Sequence, residues 1–295
     1  MRVLLLGAGG QLGMQLARKL AAEVELTALT RAEVDFTNED VLRSAIRAAK
    51  PEIVINAAAY TAVDKAESEP ELTRLVNAVA PSMIAAEIAR TNGCLIHYST
   101  DYVFDGSGAK PWVETDATRP LSVYGQTKLD GELGIAASGC RHVILRTSWV
   151  YAAEGRNFLH TMLRLGRERE QLKIVDDQIG APTSAEAITE ATRAVLQQLA
   201  VSGEDAAASG VYHLTCAGET SWCGFAQAIF AAFARQQKAP EVLPIPTEAY
   251  LTPARRPHNS RLNCDKFAGQ FGFRMPQWQD ALNEVASVLL SLERT

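Results

Sequence analysis

Two side chains four residues apart, Tyr124 and Lys128 in the run Tyr124-Gly-Gln-Thr-Lys128, have the types and spacing of a proton donor and its cationic helper. At positions i and i+4 of a helix they share one face. A cation beside a phenol favours the phenolate and lowers a pKa that starts at about 10. Alone, the pattern is common on ordinary exposed helices. It gains meaning from Ser99-Thr100-Asp101-Tyr102-Val103-Phe104-Asp105-Gly106, which closes an apolar run read as a buried strand. Open α/β sheets bind their ligands at such carboxyl ends. A Thr100 hydroxyl there could hold a carbonyl oxygen while Tyr124 protonates it.

A second constellation opens the chain. The apolar run Val3–Leu6 leads into Gly7-Ala8-Gly9-Gly10-Gln11-Leu12-Gly13 and then a helical pattern. Read as G-x-G-x-x-G from Gly7 the match fails at Leu12, whereas G-x-x-G-x-x-G fits Gly7, Gly10 and Gly13. Gly7 would make the tight turn, Gly10 would admit a pyrophosphate to the backbone, and Gly13 would let helix and sheet pack closely. Beyond the second strand Arg31 suits the 2′-phosphate of NADPH, while Asp35 suits the ribose hydroxyls of NADH and Phe36 could lie on adenine. Both dinucleotides stay open, with Arg31 favouring NADPH.

To position these groups the chain must alternate strands and helices. Apolar runs at Val3–Leu6, Val24–Ala28, Ile53–Asn56, Leu95–Ser99 and Val143–Arg146 are separated by helical patterns at Gln11–Ala22, Val41–Ala49, Pro70–Ala89 and Ser122–Ala137. That is the signature of βαβ units, so the fold class expected is α/β, a Rossmann-like doubly wound parallel sheet with a smaller mixed α/β part. Residues 1–150 would bind the dinucleotide. Residues 151–295 would mostly bind substrate, with some segments returning to the sheet. Helices are expected at Asn157–Arg167, Ala185–Leu199, Ser221–Phe233 and Met275–Leu292, short strands near Leu172–Val175, Val211–Leu214 and Val242–Pro244, and an exposed loop at Ala200–Gly210.

Composition narrows the function further. The 295 residues are 47% hydrophobic and 21% charged, an ordinary globular balance. Twenty-nine Lys and Arg stand against 34 Asp and Glu, and the net charge of −5 gives no footprint for nucleic acid or an anionic membrane. The five cysteines form no C-x-x-C pair and read as reduced, mostly buried small hydrophobes. Without a signal-peptide core or a membrane-spanning run, a cytoplasmic protein is expected. Asp176-Asp177-Gln178 is read as a loop with Gln178 near the site and Pro182-Thr183 opening a helix. With no His or third carboxylate adjacent, no metal is assigned to it.

Taken together, Gly7-x-x-Gly10-Gln11-Leu12-Gly13, the run Asn56–Glu67, the Ser99–Gly106 segment, Ser122–Lys128, Leu145-Arg-Thr-Ser-Trp149-Val-Tyr151, Asp176–Thr183 and the stretch from Arg255 resemble the dTDP-4-dehydrorhamnose reductases. These are extended short-chain dehydrogenases/reductases that make dTDP-L-rhamnose for bacterial surface polysaccharide. The resemblance covers nearly the whole chain. It implies a catalytic trio of Thr100, Tyr124 and Lys128, NAD(P)H as hydride source, and Lys128 on the nicotinamide ribose. Small residues Ala57, Ala58 and Ala59, with Tyr60, would line the cofactor. Thr61, Val63, Asp101, Tyr102, Trp149 and Gln178 would face the nucleotide-sugar substrate. One arginine among Arg255, Arg256 and Arg261, assigned as Arg256, would meet its diphosphate. Some members join subunits through a metal ion on glutamates. Here one such position is Gln15, a poor ligand for Mg²⁺, which leaves monomer and homodimer open.

Other readings use much of the same equipment. A reductase for another dTDP-4-keto-deoxysugar would differ in the sugar face it presents. A non-catalytic regulatory subunit resembling that of methionine adenosyltransferase would have no need of Tyr124. A dehydratase would be expected to carry Asp-Glu after the threonine, where this chain has Asp101-Tyr102, and an epimerase would hold NAD tightly.

Overall fold

The computed structural model describes residues 1–202 and 209–292. Five strands, β1 (Arg2–Leu6), β2 (Glu25–Leu29), β3 (Ile53–Asn56), β4 (Cys94–Thr100) and β5 (Arg141–Thr147), join a later strand, Gly210–His213, in one sheet. All pairings are parallel, in the order Gly210–His213, β5, β4, β3, β1, β2. Connections on either side of β1 therefore run in opposite directions. The carboxyl ends of β1 and β3 flank the crevice that this reversal opens.

Alternation along the strands explains the layering. Val3 and Leu5 of β1 pack with Leu16 and Leu20 of helix α1 (Gln11–Leu20) and with Ile188 and Val195 of the helix Ala185–Ser202. Leu4 and Leu6 point to the other face, against Leu42 and Ile46 of α2 (Glu39–Ala49) and Ile84 and Ile88 of the helix Ala80–Ala89. A strand buried on both faces has no polar side to show, which is why β3 and β4 read as continuous apolar runs.

A further core gathers Tyr151 of the short strand Val150–Tyr151 with Leu159, Phe225, Ile229, Trp278 and Val285 from the helices Phe158–Glu168, Trp222–Ala232 and Trp278–Leu292. Beside it the strands Gln171–Val175 and Glu241–Ile245 pair in parallel. All five cysteines are free, four of them buried.

Three local expectations change. Pro70–Ala89 is not one α-helix: α-helices Pro70–Arg74 and Ala80–Ala89 flank a π-helical turn, Leu75–Val79. Pro81 has no N–H to return to the carbonyl of Asn77, which opens the ladder there. Pro182-Thr183 does not begin a helix, because Thr183–Ser184 is a short strand and the helix starts at Ala185. Of the loop expected at Ala200–Gly210, residues 200–202 are helical and 210 begins the last sheet strand, while 203–208 lie outside the described residues. The helix Asp265–Phe271, with Phe267 and Phe271 against Tyr212, is an addition.

Candidate active site

The glycine turn has the geometry its spacing requires. Gly7 has φ +86°, and a Cβ there would lie 2.6 Å from the Ala58 nitrogen. At Gly13 a Cβ would lie 2.1 Å from the Gly7 carbonyl oxygen, so α1 can cross this turn only without a side chain. Gly10 caps α1 with no side-chain acceptor, leaving the first-turn N–H groups to meet an anion.

Gly7, Gly9 and Gly10 line a cleft of about 550 Å³ together with Arg31, Asp35, Phe36, Ala57, Ala58, Ala59 and Tyr60. A Cβ on Gly9 or Gly10 would meet nothing closer than 3.4 Å, so a side chain there would project into open space that a dinucleotide can fill. The residues fit the cofactor. The Gln11 and Leu12 side chains are engaged elsewhere: Gln11 Oε1 accepts from Asn157 Nδ2 at 2.8 Å, and Leu12 packs against the core. At the cleft's rim Asp35 Oδ1 accepts from the Thr37 N–H and hydroxyl, which holds its carboxyl below the usual range. Arg31 is exposed beside it.

The Tyr60 loop is clamped from a direction the sequence did not advertise. Asn77, in the π-helical turn, accepts from the Tyr60 N–H at 2.8 Å and donates to the Tyr60 carbonyl at 3.1 Å. Thr61 is exposed and Val63 opens a short helix, Val63–Ala66, beyond it.

At the end of β4 the reacting groups converge. Thr100 is buried and its hydroxyl donates to Asp101 Oδ1 at 3.0 Å. The helix Val123–Ala137 starts at Ser122, whose Oγ accepts from the Gly125 N–H. A Cβ on Gly125 would lie 2.2 Å from the Tyr102 carbonyl oxygen. That close approach, missed from the sequence, seats Tyr124 against the Thr100–Tyr102 turn. The Tyr124 ring meets Tyr102 edge-on, centroids 5.5 Å apart, with its phenol beside the Thr100 hydroxyl.

Electrostatically the site departs from expectation. Packed surroundings push the Tyr124 phenol up to about 12; the neighbouring Thr100 hydroxyl opposes this and the Asp101 charge adds to it. Lys128 does not lower it in this structure. Its Nζ donates to the Tyr98 carbonyl at 2.6 Å and lies 3.1 Å from His97 Nε2. Burial brings Lys128 down to about 8, against the pull of Glu132. Burial also raises the Asp101 carboxyl to about 6 and the Tyr102 phenol well above its ordinary value.

Of the predicted substrate-side groups, Gln178 and Arg256 line a cavity of about 690 Å³ whose wall also includes Phe158 and Trp222. Gln178 is buried and donates to Thr247 Oγ1. Trp149 holds φ +51°, an outlier for a bulky residue, and stacks on Trp222 with centroids 3.7 Å apart. Trp222 and Phe158, 4.7 Å from each other by centroid, are site aromatics that carried no local motif.

The arginines separate by partner. Arg261 is held by Glu219 and Asn259, and Arg255 is exposed. Arg256 pairs with Asp64 at 2.8 Å, yet its buried Nε has no partner among the described residues. The premise that Asp177 lacks metal-binding neighbours does not hold: the fold brings Glu248 and His258 to it, with one ligand atom from each lying within 4.8 Å of the others. Asp177 itself is engaged by the Thr247 N–H and hydroxyl. Gln15 lies half-buried on α1.

Residues 1–291 match the model of the RmlD substrate-binding domain family. The chain belongs to this family, that of the dTDP-4-dehydrorhamnose reductases. A relative of that name in Burkholderia thailandensis is 46% identical over 99% of this chain and 100% of its own. Among solved structures, the dTDP-4-dehydrorhamnose reductase of Clostridium acetobutylicum superposes with a TM-score of 0.91 at 34% identity, covering 98% of this chain and 100% of the other. That of Bacillus anthracis, solved in complex with NADP, gives 0.89 at 33% identity over 96% and 98%. Among the described residues no helix is long and apolar enough to cross a membrane.

Proposed function

We infer that this chain reduces the 4-keto group of dTDP-4-dehydro-β-L-rhamnose with NAD(P)H, giving dTDP-L-rhamnose. The observation that carries this is the meeting of the Thr100 hydroxyl and the Tyr124 phenol at the carboxyl end of β4, in a chain matching the reductase family nearly end to end. When bound, the reduced nicotinamide supplies the hydride that the 4-carbon receives.

The chain's own residues then handle charge and position. As the keto oxygen gains charge, the Tyr124 O–H donates its proton to it, and the Thr100 hydroxyl holds that oxygen in line. A phenol held as high as about 12 is fully protonated at neutral pH, the state a proton donor needs. Lys128 would bind the cofactor ribose on this reading. Arg31, at the rim of the glycine cleft, would receive a 2′-phosphate on this reading, and the commitment of Asp35 to Thr37 supports NADPH over NADH.

For the substrate, Arg256 turns its unpartnered Nε to the diphosphate, while Tyr102 and Trp149 border the sugar. Asp101, Gln178, Thr61 and Val63 complete this reading of the substrate side. We assign the sheet with its flanking helices to the dinucleotide and the cluster around Phe225 and Trp278 to the nucleotide sugar.

The test is oxidation of NADPH, and separately NADH, with the dTDP-4-keto sugar generated in situ and the product identified by NMR. Cofactor consumption with dTDP-L-rhamnose as product is the expected result. Consumption with a different sugar would keep the reductase and change its substrate. Cofactor binding without consumption would overturn the catalytic reading in favour of a binding role.

A further inference from the structure

Beneath the site a chain of four polar groups runs across the sheet from the cofactor loop to Lys128. The Ala58 N–H donates to Asn56 Oδ1 at 3.1 Å. Asn56 Nδ2 lies 3.1 Å from His97 Nδ1, and His97 Nε2 lies 3.1 Å from Lys128 Nζ. All three side chains are essentially inaccessible, at 1%, 0% and 1% exposure, so water does not rearrange the pattern. None of these links is explained by a catalytic trio of Thr100, Tyr124 and Lys128.

Donor arithmetic fixes the protons along the chain. A backbone N–H can only donate, so the Asn56 carbonyl oxygen faces Ala58 and its NH₂ faces His97. His97 Nδ1 must accept, which in a neutral imidazole leaves the proton on Nε2. That N–H points at Lys128 Nζ. An ammonium has three donors and no acceptor, so it cannot take this bond, whereas an uncharged amine can accept from His97 and still donate to the Tyr98 carbonyl.

We propose that His97, locked by Asn56 in its Nε2–H form, is a positioning residue that holds Lys128 as an uncharged amine until a dinucleotide engages the site. Engagement then takes up one proton from solvent, R–NH₂ plus H⁺ giving R–NH₃⁺, because ribose oxygens accept from an ammonium and the pyrophosphate charge favours a cation. Burial, which brings Lys128 down to about 8, shifts it toward the uncharged amine and leaves that form dominant above about pH 8. Burial also depresses His97 well below its ordinary value, and a charge on Lys128 would depress it further, so the imidazole is neutral in either state of the amine.

The groups around Lys128 leave it alone to titrate in that range. On its own helix Tyr124 stays protonated, held at about 12. Glu132 is tied to Arg146 of β5 and to Ser99 of β4, and Asp101, after β4, titrates at about 6. Asn56 of β3 has no charge.

This inference rests on the glycine cleft being a dinucleotide site, and calorimetry separates the two. NADH, which lacks a titratable 2′-phosphate, is bound to the full chain in two buffers of different ionisation enthalpy. The expected result is net proton uptake on binding that grows as pH rises from about 7 to about 9, as the neutral amine gains population. In His97→Gln the amide can turn its oxygen to an ammonium, and uptake at about pH 8 should fall at least about threefold while NADH still binds. Asn56→Ala asks the same question should that variant fail to fold, since His97 can then move its proton to Nδ1. Binding without proton uptake in the unmodified chain, or equal uptake in a folded variant, overturns the proposal. Absence of any binding heat overturns the cofactor reading first and the proposal with it.

Discussion

Tyr124 stands edge-on to Tyr102, their ring centroids 5.5 Å apart at 79°. The contact fixes the tilt of the phenol beside the Thr100 hydroxyl, and both depend on Gly125 letting the helix N-terminus touch the turn after β4. Proton donor and oxygen holder are thus set by one packing contact. Any bulk at Gly125 would separate them.

Lys128 is expected to serve turnover and cofactor binding together. Lys128→Met should lower kcat and raise the cofactor Kd, each by roughly 10–100-fold, the loss of one or two charge-assisted hydrogen bonds. Steady-state kinetics beside a binding titration checks this. An unchanged cofactor Kd would remove Lys128 from the ribose.

Arg31 should govern discrimination between the dinucleotides. Arg31→Ala is expected to raise the KM for NADPH by about 10-fold and leave that for NADH within about 2-fold, because only the former carries a phosphate for a guanidinium. Being exposed, the position should cost no stability. Parallel KM values for the two cofactors decide it, and an equal change in both would place Arg31 outside the phosphate site.

The Asp101 charge should trade stability for function. Its folded-state pKa of about 6 lies above the ordinary 3.8 because the carboxyl is buried. Asp101 therefore favours the fold at low pH and loses that contribution as pH rises through about 6, leaving a cost of about 2–3 kcal/mol at neutral pH. Asp101→Asn should raise Tm at pH 7 and flatten the stability profile between about pH 4 and pH 6. A Tm unchanged or lowered at pH 7 would contradict this sign.

The pair Arg146–Glu132 lies 2.6 Å apart with both side chains about 5% exposed or less, bound also by Ser99. Arg146→Leu leaves a carboxylate buried without its partner and should cost about 3–5 kcal/mol. Thermal unfolding should fall by roughly 10 °C. A loss below about 1 kcal/mol would mean that Glu132 finds another partner or a proton.

Local spacing carried much of this fold into the sequence. Strand and helix positions, Gly7 and Gly13, and the run from Tyr124 to Lys128 all follow from periodicities of a few residues, and the structure places them within a few residues of expectation. What was not legible depends on partners far apart in the chain. Gly125 answers to Tyr102, Asn77 to Tyr60 and Trp222 to Trp149, contacts with no fixed offset. Lys128 is the clearest case. Its helical spacing suggested Tyr124 as partner, but the strand beneath offers His97 and the Tyr98 carbonyl at hydrogen-bond distance. Likewise three arginines close in sequence could be told apart only once Glu219 and Asp64 were in place.

The most direct measurement is the turnover of Tyr124→Phe with NADPH and the dTDP-4-keto sugar, set beside its cofactor affinity. Loss of the phenol oxygen removes the proton donor and leaves the ring against Tyr102, so kcat should fall by about 10²–10⁴-fold with the cofactor Kd within about 2-fold. Turnover equal to that of the unmodified chain would contradict the assignment of Tyr124 as the acid that protonates the sugar oxygen.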